Sequence, residues 1–274
     1  MVAAVHREER FAPGPPSAPD VRALVYRPQD RTDRLPLIID LHGGAFARRA
    51  DNFPAGAASL AMLGATVVSV DYRPATSAPF PAAVEDCYAA LCWAVGALDV
   101  DRDRVAVTGV SAGGALAAAL TQMARDRRGP AIAFQALVIP VIDDRCETPS
   151  MGQFDEGPLF GGRDAKAMWD RYLGSGADRR VTPAYAAPGR ATDLSGLPSA
   201  FIQVNGLDPL RDEGINYALA LMAAGVAVEL YCAPHQHHGL SPDRRTAAAA
   251  VRLYRDSLIA ALGLLARSEG EPLT

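Results

Sequence analysis

Ser111 lies in the run Gly109-Val110-Ser111-Ala112-Gly113-Gly114, where a short apolar segment passes into an alanine-rich helical one. The spacing G-x-S-x-G suits a sharp strand-to-helix turn, because side chains at positions 109 and 113 would clash where the backbones approach. Such a turn exposes the serine hydroxyl and aims the N-terminus of the following helix at it. The positive end of that helix, with the N–H of Ala112, can stabilise developing negative charge. The chemistry this spacing points to is acyl transfer with Ser111 as nucleophile. A serine capping a helix after a glycine turn has the same local sequence, so the flanking strand and helix carry the distinction.

A second run, His42-Gly43-Gly44-Ala45-Phe46, directly follows the apolar stretch Pro36-Leu37-Ile38-Ile39-Asp40-Leu41. Consecutive glycines let backbone amides face a bound oxygen without side-chain obstruction. Gly43 and Gly44 are therefore candidates for half of an oxyanion hole, with Ala112 N–H as the other half. His42 is assigned to holding this loop and not to proton transfer.

A serine hydroxyl needs a base, and the base needs an orienting acid. Of the five histidines, His6 lies near the chain start and His42 is committed to the glycine loop. That leaves His235, His237 and His238, between a predicted strand and the last helix. Three close histidines also suggest a metal site, but no carboxylate or cysteine stands near them at ligand spacing. The acid is expected just past the preceding strand, where the chain reads Asn205-Gly206-Leu207-Asp208-Pro209-Leu210-Arg211-Asp212-Glu213. Asp208 has that place, while Asp212 and Glu213 fit as first-turn charges of the next helix. The resulting order, Ser…Asp…His, is that of the α/β hydrolases.

These residues need a scaffold that brings distant loops to one edge, and the hydrophobic pattern supplies it. Apolar runs of strand type (36–41, 65–70, 104–110, 136–142, 200–205 and 227–233) alternate with segments of helical periodicity (55–63, 82–97, 112–125, 211–224 and 244–265). That rhythm predicts an α/β fold, a mainly parallel sheet with helices on both faces. Residues 2–10 and 21–26, joined by the Pro/Gly-rich PGPPSAPD, read as an antiparallel hairpin at one edge. Residues 148–190 break the rhythm. They are expected to form a cap or pocket insertion, with an amphipathic piece at 164–173, inside a single domain spanning 1–274. The tail SEGEPLT is expected to be loose.

The 274 residues are 49% hydrophobic and 21% charged, with a formal net charge of −4. No basic face for nucleic acid is evident. Arginine supplies all the positive side chains except Lys166. No stretch reaches the apolar length of a membrane span, and the start lacks the apolar core of a secretory signal, so a cytoplasmic location is expected. The four cysteines, Cys87, Cys92, Cys146 and Cys232, lack metal or disulfide spacing and are expected to be packed, reduced thiols.

The sequence resembles the hormone-sensitive-lipase-like, or bacterial family IV, carboxylesterases from about Val21 to Leu265. The resemblance is carried by HGGAF at 42–46, DYRPA at 71–75, FPAAVED at 80–86, GVSAGG at 109–114, GLDPLRDEG at 206–214 and HHGL at 237–240. It implies an α/β-hydrolase fold and a serine hydrolase that cleaves carboxylic esters of short to medium acyl chains. No metal or cofactor is implied. Among the three histidines it selects His238 as base, and it selects Asp208 as acid. Formamidase-like relatives make an amide, formamide or carbamate bond the alternative. A receptor on the same scaffold, as in the plant gibberellin receptors, is set against by the retained base. The final strand and helix are expected to offer an edge for a homodimer, as in relatives.

Three departures from the family pattern stand out. Ala45 replaces the usual third glycine. Val110 stands where an acidic residue is common. The chain also starts almost at the first strand, without the helical N-terminal cap, which implies a reduced cap and a more open site.

Overall fold

The computed structural model describes residues 5–29, 31, 33–239 and 241–264. Residues 2–4 of the first expected strand, Leu240 of the last motif, Leu265 and the SEGEPLT tail lie outside them. Strand β1 (Val5–Ala12), largely exposed at the sheet edge, and β2 (Val21–Pro28), largely buried, pair antiparallel from Ala12↔Val21 to Val5↔Pro28. PGPPSAPD closes them as the expected edge hairpin.

The central strands are apolar on both faces, as parallel strands buried between helix layers must be. β3 (Leu35–Leu41) is buried at every position but Asp40, and β4 (Thr66–Val70) is buried throughout. With β5 (Val100–Val110), β6 (Phe134–Val138), β7 (Ser199–Leu207) and β8 (Val228–His237) they complete an eight-stranded sheet, in the order β1-β2-β4-β3-β5-β6-β7-β8. Every pairing from β4 to β8 is parallel.

Helices α1 (Pro54–Ala61) and α7 (Arg244–Leu262) cover one face, packing Leu60, Leu258 and Leu262 on Ile38, Ala106 and Phe201. On the other face lie α2 (Ala82–Ala97), α3 (Ala112–Asp126) and α6 (Arg211–Ala223). Helix α6 stops at Gly225, whose positive φ of 82° relieves it of the strain a side chain would bring. This is the α/β-hydrolase architecture expected from the alternation of apolar runs.

Residues 148–190 hold the short α4 (Pro149–Gln153) and the amphipathic α5 (Gly162–Leu173). Trp169 and Tyr172 of α5 are fully buried against the core of the α2/α3 side.

Two sequence expectations need correction. The run 136–142 was expected to be one strand, but β6 ends at Val138, because Ile139 takes a positive φ of 43° and Pro140 has no N–H for the ladder. The amides of Ile142 and Asp143 leave the sheet and donate to the Glu213 carboxylate at 2.6 and 3.3 Å. All four cysteines are unpaired as expected, but they are not all packed: Cys232 is exposed on the edge strand β8, whereas Cys87 and Cys146 are buried.

Candidate active site

Parallel strands point their carboxyl ends the same way, so the loops that leave them converge on one edge of the sheet. Here the residues immediately after β3, β5, β7 and β8 are His42, Ser111, Asp208 and His238.

Ser111 occupies the turn from β5 into α3 with φ 56° and ψ −117°, a conformation that non-glycine residues adopt only when the surroundings impose it. Its N–H donates to Val138 O at 2.9 Å, and its carbonyl accepts from Gly114 at 2.9 Å and Val141 at 3.1 Å. The flanking glycines are required by close approach. A Cβ on Gly109 would fall on the Gly113 carbonyl, and one on Gly113 would fall on the Leu41 carbonyl.

The Ser111 hydroxyl lies 2.9 Å from His238 Nε2, and His238 Nδ1 lies 2.8 Å from Asp208 Oδ2. Since a carboxylate only accepts, Nδ1 carries the proton and Nε2 is left to accept from the serine. The other Asp208 oxygen accepts the Leu210 amide at 2.8 Å, which fixes the carboxylate. Ser111 and His238 are each 7% exposed and Asp208 1%, so the series is shielded from bulk water. An irregularity in the β7–β8 pairing between Asn205 and Leu207, with His235 at φ 59°, bends the end of β8 and brings His238 over the serine. His235 is exposed and His237 is half-buried, its carbonyl taken by Asn205 Nδ2 at 2.8 Å. His6 lies on β1. Among the described residues no group of three or more His, Cys, Asp or Glu side chains is placed to share a metal ion.

The glycine loop lies against this turn. A Cβ built on Gly43 would be 2.9 Å from Val110 O and 3.5 Å from Ser111 Cβ. Among the described residues no group of the chain accepts from the amides of Gly43 or Gly44. Ala112 opens α3, where a helix leaves its first amides unused. The three amides are thus available to an oxygen bound beside Ser111.

His42 is buried between Tyr72 and Phe53, with ring centroids 4.3 and 5.5 Å away. Its Nδ1–H donates to Gly43 O at 2.8 Å, and its own carbonyl accepts from Tyr72 Oη at 2.7 Å. Burial lowers its pKa and keeps the ring neutral, in keeping with a loop-holding role. Farther along the loop, Phe46 stacks on Tyr172 of α5 at 3.8 Å, so the 148–190 segment braces it.

A cavity of about 660 Å³ opens over Ser111, His238 and the glycine loop, with Phe53, Ile139 and Phe160 among its apolar walls. Phe160 packs its ring 4.6 Å from that of His238. Sequence reasoning did not single out Phe160, because the stretch 154–161 has no periodicity to read.

Glu213 was also passed over as a first-turn charge. It is 2% exposed and its carboxylate shapes the loop after β6 that carries Ile139 into the cavity. Asp212 beside it accepts the Ser150 amide at 2.7 Å and so ties α4 to α6. Two adjacent acids at a helix start, one of them on the inward face, was the available signal.

Comparison with known proteins follows the same line. The α/β hydrolase fold family profile matches residues 38–241. The chain is 38% identical over 264 residues to the esterase LipI of Mycobacterium tuberculosis, covering 87% of this chain and 81% of that protein. It is 40% identical over 228 residues to the carboxylesterase NlhH of the same species, covering 80% and 71%. Among solved structures, a bacterial heroin esterase superposes with a TM-score of 0.86 at 40% identity, covering 95% of this chain and 83% of that one.

Proposed function

This chain belongs to the hormone-sensitive-lipase-like carboxylesterases of the α/β-hydrolase superfamily and hydrolyses carboxylic esters, and we propose that it does so through an acyl-enzyme on Ser111. The observation that carries the proposal is the buried series Ser111 Oγ, His238 and Asp208, linked at 2.9 and 2.8 Å.

In this reading Ser111 attacks the ester carbonyl as His238 Nε2 takes its proton. The amides of Gly43, Gly44 and Ala112 hold the oxyanion. The imidazolium, steadied by Asp208, returns the proton to the leaving alcohol, and water then repeats the sequence on the acyl-enzyme. Each oxyanion amide is expected to contribute about 100- to 1000-fold in rate. Residues 148–190 act as a short cap within one domain, a role supported by Leu159 and Phe160 lining the cavity. The cavity volume of about 660 Å³ suits short to medium acyl chains.

No helix of the described residues is long and apolar enough to cross a membrane. A cytoplasmic location is further supported by four unpaired thiols, one of them exposed. We also read β8 as the edge through which two copies join. It ends the sheet, and Val251 on the neighbouring α7 is 55% exposed. Size-exclusion chromatography with light scattering tests that arrangement.

The hydrolytic reading is tested by p-nitrophenyl esters of increasing acyl length with wild type and Ser111→Ala. Turnover that peaks at short to medium chains and vanishes in the variant supports it. Turnover that persists in Ser111→Ala removes the acyl-enzyme.

A further inference from the structure

Asp40 carries a carboxyl on the wall of the active-site cavity that the hydrolytic mechanism does not use. In the sheet it pairs with Thr108, and Thr108 and Val110 share a face because alternate strand residues do. Its side chain therefore stands beside the residue that precedes the nucleophile, on the α1/α7 side. There a second cavity of about 290 Å³ adjoins the first, and Asp40, Gly56 and Val110 line both.

The wall of this side cavity is mostly apolar, with Asp40 and Gln236 among its polar groups. Gln236 is 1% exposed, its Nε2 is spent on Asp243 O at 3.0 Å, and its Oε1 has no partner. Tyr254 Oη is already engaged with Thr108 Oγ1 at 2.8 Å. Ser69 donates to Asp40, yet burial dominates and raises the carboxyl to about 6. The other charged or titratable groups facing it are Tyr26 from β2, Tyr72 beyond β4 and, from α7, Tyr254 and the exposed Arg255. Across the main cavity lie His42, His238 and Arg48. Among the described residues no Arg or Lys forms an ion pair with Asp40. A buried carboxyl with no cationic partner, sharing a cavity wall with an orphaned amide oxygen, is stabilised if a cationic donor enters the cavity.

We propose that the side cavity binds a protonated amine carried by the ester substrate, with the Asp40 carboxylate as counter-ion and acceptor of its N–H, and the negative end of the Gln236 amide dipole, Oε1, as a second stabiliser of the positive charge. The inference rests on the hydrolytic reading above and names the substrate class of the same site. An ammonium group on the alcohol portion and one on the acyl portion share this chemistry, and a paired comparison separates them.

The test compares 2-(dimethylamino)ethyl butyrate with its neutral isostere 3-methylbutyl butyrate, and ethyl 4-(dimethylamino)butyrate with ethyl 5-methylhexanoate, at pH 7.5. Wild type is expected to prefer the ammonium member of one pair by about tenfold or more in kcat/KM, the usual size of a charge-assisted hydrogen bond. That ratio should fall to near one in Asp40→Asn and part of the way in Gln236→Leu. Ratios near one for both pairs in wild type, or a ratio unchanged in Asp40→Asn, overturn the inference while leaving ester hydrolysis intact. If Asp40→Asn does not fold, the wild-type ratio and the Gln236→Leu shift decide. If no ester turns over, calorimetric binding of the same pairs to Ser111→Ala decides: equal affinity within both pairs overturns the proposal, and tighter ammonium binding supports it independently of hydrolysis.

Discussion

The ring of Phe160, from the aperiodic stretch before α5, packs 4.6 Å from the imidazole of His238. The imidazole we propose as base is thus held from one side by the Asp208 carboxylate and covered on another by the Phe160 ring. Phe160→Ala removes that cover and loosens the imidazole. It should lower kcat/KM for a butyrate ester by about tenfold, since small misplacements of a catalytic group are costly. The enlarged cavity should also move the optimum toward longer acyl chains. A chain-length series on wild type and variant checks this, and an unchanged profile would show that Phe160 neither positions the base nor bounds the pocket.

Glu213 is fully enclosed, and burial raises its pKa well above the ordinary glutamate range. A carboxyl whose folded pKa is raised contributes its full stability below the unfolded pKa, about 4.3, and loses it as pH rises toward the folded value. Glu213→Gln keeps an acceptor for the Ile142 and Asp143 amides without the titration. Its stability relative to wild type should therefore increase with pH above that point. Glu213→Ala leaves the two amides unpaired and should cost about 2–4 kcal/mol. Urea denaturation of the three proteins at several pH values measures both effects, and parallel curves for wild type and Glu213→Gln would contradict the assignment.

Asp40 has the same sign for the same reason, since burial outweighs the hydrogen bond from Ser69. Its carboxyl is raised to about 6 against 3.8 for a free aspartate. The contribution is complete below pH 3.8 and is lost as pH rises through 6. Asp40→Asn should accordingly gain about 1–3 kcal/mol relative to wild type between acid and neutral pH. Chemical denaturation at pH 4.5 and 8 gives the difference directly. A gain that is the same at both values would mean that Asp40 does not titrate in this window.

Ala45 occupies the position where the resemblance leads one to expect a third glycine, and it keeps the left-handed conformation glycine would have, with φ 54°. Such a backbone costs an alanine about 1–2 kcal/mol, part of which is offset by the greater freedom of glycine in the unfolded chain. Ala45→Gly should therefore stabilise the protein by about 0.5–1 kcal/mol. Thermal denaturation monitored by circular dichroism reads this as a rise in Tm of a few degrees at most. A fall in Tm would show that the methyl contributes more by packing than it costs in strain.

Much of this was legible because the chain repeats one device. Apolar runs of strand type end in short motifs, and a parallel sheet gathers those ends on one edge. The pieces around Ser111, Asp208 and the glycine pair could therefore be found from local pattern and order. Choosing among His235, His237 and His238 was different. Local sequence left all three open, and which one reaches the serine depends on the bend in β8 that its pairing with β7 sets. The early end of β6 was marked by Pro140 in the run itself, whereas the path of the chain beyond it was hidden, since the Ile142 amide is held by a Glu213 carboxylate 71 residues away. Cys232 looked like any apolar strand residue until its strand proved to be the sheet edge. Asp40 read only as one polar residue in an apolar run, and its meaning needed the cavities on either side of Val110.

The central claim is that one hydroxyl, that of Ser111, is the activated nucleophile. Intact-mass spectrometry after exposure to a fluorophosphonate probe tests it most directly. A single adduct on wild type, mapped to the peptide containing Ser111 and absent from Ser111→Ala, is the result the account requires. Equal labelling of the two proteins, or none of wild type while it hydrolyses esters, would contradict it.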